Sequence, residues 1–386
     1  MNTKTKTIIT LIICLISSAS IVAQTEQVRL YNPFSIDIDP MERLLLVNIE
    51  NDPDTLYIGF EPQVFDDSIN GTGHLTIAWR VDGKVDVYHQ PGLTLDPDKY
   101  SIAGKGLANM IERDLKDGFF HVNQSGVQAQ FEFLDLYGRM IGLKINENHT
   151  KKRKPFGLLA PMGDAAENPH AMPLVLLQDF YFVRQKHSDI EVLVDGRLHN
   201  VDNLPVFIDR TKMTFIRYST KPIIATLNSE FSGVIQGVSI EKNQDVIASD
   251  DYEINIEWRA DKAYIKSIKR NNQIHPVILH FNDAFPNIAD LENNSIIKGA
   301  FTIESHPSTG KIKGVYRVEK NEDLITISMN PSRGWYPVKN KLSLRFMYRV
   351  AKIFRKWPTT YEWNAKVSWT SSDYYMESHW KRINRE

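Results

Sequence analysis

The chain has 386 residues, 46 Lys+Arg against 47 Asp+Glu, and a single cysteine. That length can bury a large core without bridges, and the near-balanced charge excludes the strong basic excess of a nucleic-acid binder. With Cys14 the only cysteine, a disulfide within the chain and, once Cys14 is removed, thiolate catalysis are excluded as well.

The first stretch reads as an export signal: Lys4 and Lys6 precede an apolar run that contains Cys14, and Ala23 offers a small residue at a cleavage point. Residues 1–23 are therefore expected to be removed, placing the protein in the periplasm or outside the cell. Loss of the two lysines leaves 44 against 47, a mature balance of -3. No later run is long enough to span a membrane.

Beyond the signal, 44–49 and 55–60 read as strands joined by the Asn51-Asp52-Pro53-Asp54 turn. Next, 74–80 and 84–90 alternate around Asp82-Gly83, the strongest short-range hairpin signal in the chain. The acidic pair Asp66 and Asp67 opens this stretch, and Tyr88-His89-Gln90-Pro91-Gly92 closes it. The spacing of Leu107, Met110 and Ile111 predicts a short helix over 107–114, after which 119–122, 127–134 and 139–146 return to strand.

The stretch 156–173 carries three prolines and two glycines with no period, a long apolar loop of the kind that covers something. Strand 174–183 follows with Asp179 inside an apolar and aromatic run, where a carboxylate is a rim group, a hydrogen-bonded group or a perturbed acid. V-D-G-R at 194–197 echoes V-D-G-K at 81–84, so a duplicated hairpin is expected. Further strands are predicted at 190–194 and 212–218.

Past Pro222 the texture changes to more Lys, Asn and Ile, which sets an expected boundary between an N-terminal part, 24–222, and a C-terminal part, 223–386. Strands are predicted there at 233–240, 252–260, 263–269, 277–281, 299–303, 314–318 and 324–329. Segment 342–357 fits two readings. As a helix it has an apolar face (Phe346, Met347, Val350, Ile353, Phe354, Trp357) and a basic one (Arg345, Arg349, Lys352, Arg355, Lys356); as a strand, Leu342, Leu344, Phe346, Tyr348 and Val350 alternate. The expected fold is all-β: two successive antiparallel barrels or sandwiches with a few short helices.

The order of the V-D-G-K hairpin, the Asp135 to Arg139 turn, the Gly- and Pro-rich loop, D-F-Y-F at 179–182 and V-D-G-R resembles the lipocalin-like carotenoid hydratase (hydroxyneurosporene synthase) family over the first half. The resemblance implies two lipocalin-like barrels that hold or act on apolar isoprenoid or polyketide-like molecules. Where the family ends its second hairpin in D-x-x-W, this chain has Phe207-Ile208-Asp209-Arg210-Thr211.

Three functions follow from the residues. In the first, an apolar ligand undergoes acid-assisted hydration or cyclisation, with Asp66, Asp179 and Asp209 as candidate proton donors and His89 as their partner. Trp79, Tyr88, Tyr181 and Phe182 would line the pocket or face a cation. The second is glycan binding or hydrolysis by paired carboxylates, Glu61 with Asp66 or Asp67. The third is a non-catalytic binding or assembly protein. The eleven histidines show no metal-ligand spacing, and no phosphate-binding or nucleophile-elbow motif occurs, so no metal or cofactor is expected. The expected partner is an apolar small molecule, with contact to a membrane surface left open by the basic face of 342–357.

Overall fold

Alternation of buried and exposed positions makes most of the chain strand. In V-Q-A-Q-F-E-F-L, for instance, Val127, Ala129, Phe131 and Phe133 all turn inward. The computed structural model describes residues 27–162, 169–351 and 353–383, so the expected signal segment lies outside the described residues.

The strands of the first part are β1 (Gln27–Leu30), β2 (Ile36–Asp39), β3 (Arg43–Asn48), β4 (Tyr57–Asp67), β5 (Gly71–Arg80), β6 (Val85–His89), β7 (Leu107–Glu112) and β8 (Lys116–Val122). They continue with β9 (Val127–Leu134), β10 (Met140–Glu147), β11 (Phe156–Ala160), β12 (Met172–Arg184), β13 (Ser188–Val194), β14 (Arg197–Leu198) and β15 (Met213–Leu227). Two sheets result. One has nine strands, ordered β11-β12-β15-β3-β4-β5-β6-β7 with β2 also on β15, and the other has five, ordered β14-β13-β10-β9-β8.

These two sheets face each other. Val47, Phe60, Tyr88 and Tyr218 of the larger pack with Phe131, Phe133, Leu143 and Val192 of the smaller in one core. The larger sheet is also covered on its other face, which is why β12 is buried along almost its whole length.

The second part contributes β16 (Phe231–Ile235), β17 (Val238–Glu241), β18 (Val246–Ala248), β19 (Tyr252–Arg259), β20 (Lys262–Arg270), β21 (Val277–Pro286), β22 (Ile296–Glu304), β23 (Lys311–Asn321) and β24 (Leu324–Tyr336). Two short helices follow, α1 (Leu342–Val350) and α2 (Ile353–Lys356), then β25 (Tyr361–Trp369) and β26 (Tyr374–Arg382). Ten of these strands form one antiparallel sheet, β16-β26-β25-β24-β23-β22-β21-β20-β19-β18.

Phe34 shows how far that sheet curls. Its ring lies 5.1 Å from Phe281 on β21 and 5.5 Å from Trp363 on β25. Four strand spacings would hold those two strands roughly 19 Å apart in a flat sheet, so the sheet wraps around this one side chain. The fold is all-β with open antiparallel sheets, and no barrel closes among the described residues.

Pro222 lies inside β15, and the ten-stranded sheet begins with β16 after residues 228–230. The two parts are also tied together. β1 pairs with β17, the Tyr31 amide donates to Asn287 Oδ1 at 3.2 Å, and Trp380 Nε1 donates to the Leu227 carbonyl at 2.9 Å. At Gly157 the two parts also approach closely: a Cβ there would run into Ser308.

Residues 107–112 form an edge strand rather than a helix, because β6 offers them hydrogen bonds in parallel register, Val87 opposite Met110 and Tyr88 opposite Ile111. Of the two readings of 342–357, the helix forms: Leu344 and Tyr348 are buried on one side, and Tyr348 and Phe354 pack on Trp335 of β24 at 5.1 and 5.5 Å.

Candidate functional site

The face of the nine-stranded sheet turned away from the five-stranded one borders a cavity of about 550 Å³. Leu46 on β3, Leu158 on β11, Val175, Leu177 and Phe182 on β12 and Phe215 on β15 make its apolar wall. Phe346, Met347, Val350 and Phe354 of the helical segment close it from the other side. That segment is tethered at both ends to the first part. Lys341 Nζ pairs with Asp209 Oδ2 at 3.2 Å, and Trp357 Nε1 donates to the Met162 carbonyl at 2.9 Å. Met162 belongs to the Gly- and Pro-rich stretch and lines the cavity with Leu158, Ala160 and Pro161; 163–168 lie outside the described residues.

The polar part of the wall comes from β4, β5 and β15. Along β4, Phe60 and Val64 turn into the sandwich core, so Glu61 and Gln63 point the other way. Glu61 is 4% exposed, and its carboxyl accepts from Gln63 Nε2 at 2.9 Å and Trp79 Nε1 at 3.3 Å. Burial pushes it up to about 7, against the opposing pull of Gln63, Trp79 and the charge of Arg217. Arg217 lies deep on the same wall, its Nη1 donating to Asn48 Oδ1 at 2.6 Å and the Phe215 carbonyl at 3.0 Å. Burial lowers it to about 10, opposed by Glu61, Glu50 and Asp202. The cavity therefore holds a carboxyl balanced between its two protonation states near neutral pH and a guanidinium held by neutral acceptors.

The residues singled out from the sequence are scattered relative to this cavity. Trp79 and Phe182 line it. Tyr88 is fully buried on the opposite face of the sheet, its hydroxyl 2.7 Å from that of Tyr57 and accepting from the Leu136 amide. Tyr181 also faces away, stacked on Tyr218 at 5.2 Å under Arg153.

The four proposed acid–base residues do not converge. Asp66 is exposed and accepts from Thr72 Oγ1 at 2.9 Å, while His89 turns Nδ1 to the Gln90 carbonyl at 3.1 Å. Asp179 sits at a bulge of β12 with φ 46°, 3.8 Å from Lys221, and Asp209 is in the turn that pairs with Lys341. The glycoside pairing separates too: Glu61 faces the cavity, whereas Asp67 caps the amides of Ile69 and Asn70.

Asp86 is a fully buried carboxylate of another kind. It accepts from Asn109 Nδ2 at 2.7 Å, Tyr57 Oη at 3.1 Å and Arg80 Nη1 at 3.3 Å, and it does not line the cavity that holds Glu61.

Two functional groups escaped the sequence reading. Glu61 entered it only as half of a glycan pair, and Arg217 did not enter at all. The strand parity of F-E-P-Q-V carries the signal for Glu61, since it sets Glu61 and Gln63 against Phe60 and Val64. No protein-family model matches this sequence, and no curated protein or solved structure matches it either.

Proposed function

We propose that this protein is an exported binder of an apolar small molecule and that the cavity between the nine-stranded sheet and α1 receives it. The observation that carries the reading is a 550 Å³ cavity, mostly apolar, with the near-neutral carboxyl of Glu61 in its wall. That volume falls in the roughly 300–1,000 Å³ range of small-molecule sites. Few polar groups and much apolar wall favour a molecule that is greasy over most of its length.

The same arrangement equips the cavity for acid-assisted hydration or cyclisation, the chemistry that the resemblance of the first half implies. Protonated Glu61 would give its proton to an alkene carbon, forming the C–H bond as the π bond breaks. Of the aromatic rings in the wall, Trp79 suits the resulting cation, because Phe215 already carries the Arg217 guanidinium over its ring at 4.2 Å and Phe182 is stacked on Phe156 and Phe215. Attack by water, or by a second alkene of the same molecule, then returns one proton to the Glu61 carboxylate, which restores the acid.

The test is saturable binding of the neutral fluorophore N-phenyl-1-naphthylamine, together with native mass spectrometry of protein purified from its source. The expected result is one site per chain, lost in Leu177→Trp, whose added ring occupies the cavity, and kept in Glu61→Gln. Absence of saturable binding in the parent protein, with no co-purifying apolar molecule, would overturn the proposal.

A further inference from the structure

We infer that the mouth of the cavity docks on an anionic membrane surface, from which the apolar ligand enters. The inference rests on the cavity reading above and adds the partner that delivers the ligand.

Three observations converge on one face. First, α1 does not hide all of its apolar residues. Leu344 and Tyr348 are buried, but Leu342, Phe346 and Val350, each four residues from the next, form a stripe that is 81%, 55% and 57% exposed. Phe346 and Val350 line the cavity and face solvent at once, so this stripe lies at the mouth. Phe207 is 58% exposed and follows Leu204, Pro205 and Val206, which line the same cavity. Exposed large apolar side chains gathered at one opening mark an interaction surface rather than ordinary surface scatter.

Second, the charge there is one-sided. Among the described side chains of 339–357, Lys339, Lys341, Arg345, Arg349 and Lys356 are cationic and none is acidic, in a chain whose totals nearly cancel. Arg345 and Arg349 are exposed beside the Leu342 stripe, and neither meets a carboxylate among the described residues.

Third, the patch extends onto the first part. Lys341 Nζ donates to the Lys154 carbonyl at 3.3 Å, which brings the run Lys151-Lys152-Arg153-Lys154 against the start of α1. Asp209, the acidic group at this junction, is answered by Lys341.

Exposed apolar residues flanked by cations are what a helix lying in the headgroup layer of an anionic bilayer presents. An acidic protein would answer the charge but leave the apolar stripe unexplained. A neutral apolar partner would leave the cations unmatched. A bilayer with anionic headgroups meets both, and its interior is where a greasy ligand resides.

The experiment is vesicle co-sedimentation of the mature full chain on phosphatidylcholine vesicles with and without about one third phosphatidylglycerol. Binding is expected only to the anionic vesicles and should fall with added salt. Each cation removed should weaken it about fivefold, so Arg345→Gln/Arg349→Gln should weaken it about 25-fold. Leu342→Ser/Phe207→Ser should weaken it as well, with unchanged melting temperatures because all four positions are exposed. Equal binding to neutral vesicles, indifference to both double variants, or binding to soluble polyglutamate in place of vesicles would each overturn the inference. N-phenyl-1-naphthylamine separates the two readings. Probe binding without vesicle binding sinks only the docking surface, and vesicle binding without probe binding sinks the cavity reading.

Discussion

Replacing Glu61 with Gln is the most direct probe of the site, because burial of this carboxyl sets the sign of the effect and its order of magnitude. Burial raises this carboxyl from 4.5 to about 7. The difference, 7 less 4.5, is about 2.5 pH units, or about 3 kcal/mol at 1.36 kcal/mol per unit. Since the folded value lies above the unfolded one, the folded chain holds the proton more tightly. Stability is then full below pH 4.5, falls as pH rises from 4.5 to 7, and is flat beyond. The amide that replaces the carboxyl cannot ionise and still offers an oxygen to Trp79 or Gln63. The variant should match the parent near pH 4 to within about 1 kcal/mol, the worth of a rearranged hydrogen bond. At pH 8 it should be more stable by about 3 kcal/mol. Urea unfolding followed by tryptophan fluorescence across this pH range measures the difference. Carboxyl-carbon NMR should show one Glu titrating near 7 in the parent and none there in the variant. Parallel stability curves for the two proteins between pH 5 and 8 would refute the reasoning.

The remaining predictions use the same structure. Arg217→Met removes a positive charge that holds Glu61 down, so the Glu61 midpoint should rise above 7 in the same NMR titration; an unmoved midpoint would show that the two groups do not interact. Asp86→Ala leaves Arg80, Tyr57 and Asn109 facing a buried void, and the unfolding free energy should fall by about 3–5 kcal/mol, with the probe still binding because Asp86 lies on the far face. A loss below about 1 kcal/mol would mean that water already satisfies that cluster.

The hairpins were legible because their turns are chemically specific. Asp82-Gly83 connects β5 to β6 with Gly83 at φ 87°, and Asp195-Gly196 connects β13 to β14 with φ of 51° and 77°. The last two strands went unread although they alternate plainly: Tyr361, Trp363, Ala365 and Val367 are buried in β25, and Tyr374, Met376 and Trp380 in β26. The site was harder for a physical reason. Both faces of the nine-stranded sheet are covered, so hydrophobicity does not say which face a residue occupies. Trp79 pairs across with Val85 and Tyr88 pairs with Thr76, which puts the two rings on opposite faces of one hairpin although both read as aromatic strand residues. Arg217 in T-F-I-R-Y looks like an ordinary solvent-facing cation until β3 and β12 on either side of it show that its strand is interior.

The cavity also belongs to neither part of the chain alone. Its wall is sheet from the first part and its cover is helix from the second, and the contacts that hold the cover in place, Lys341 to Asp209 and Trp357 to Met162, cross between them. The segment that completes the site lies more than a hundred residues beyond the last strand of its wall, β15. Glu61 adds a second indication that this place serves function rather than folding. A neutral side chain there would free the fold of the cost of an ionised, buried carboxyl above pH 7. Asp86 shows what the same chain does when a buried carboxyl is structural: it surrounds it with three donors. Glu61 has two neutral donors and open apolar volume instead, the arrangement of a group that meets something other than its own protein.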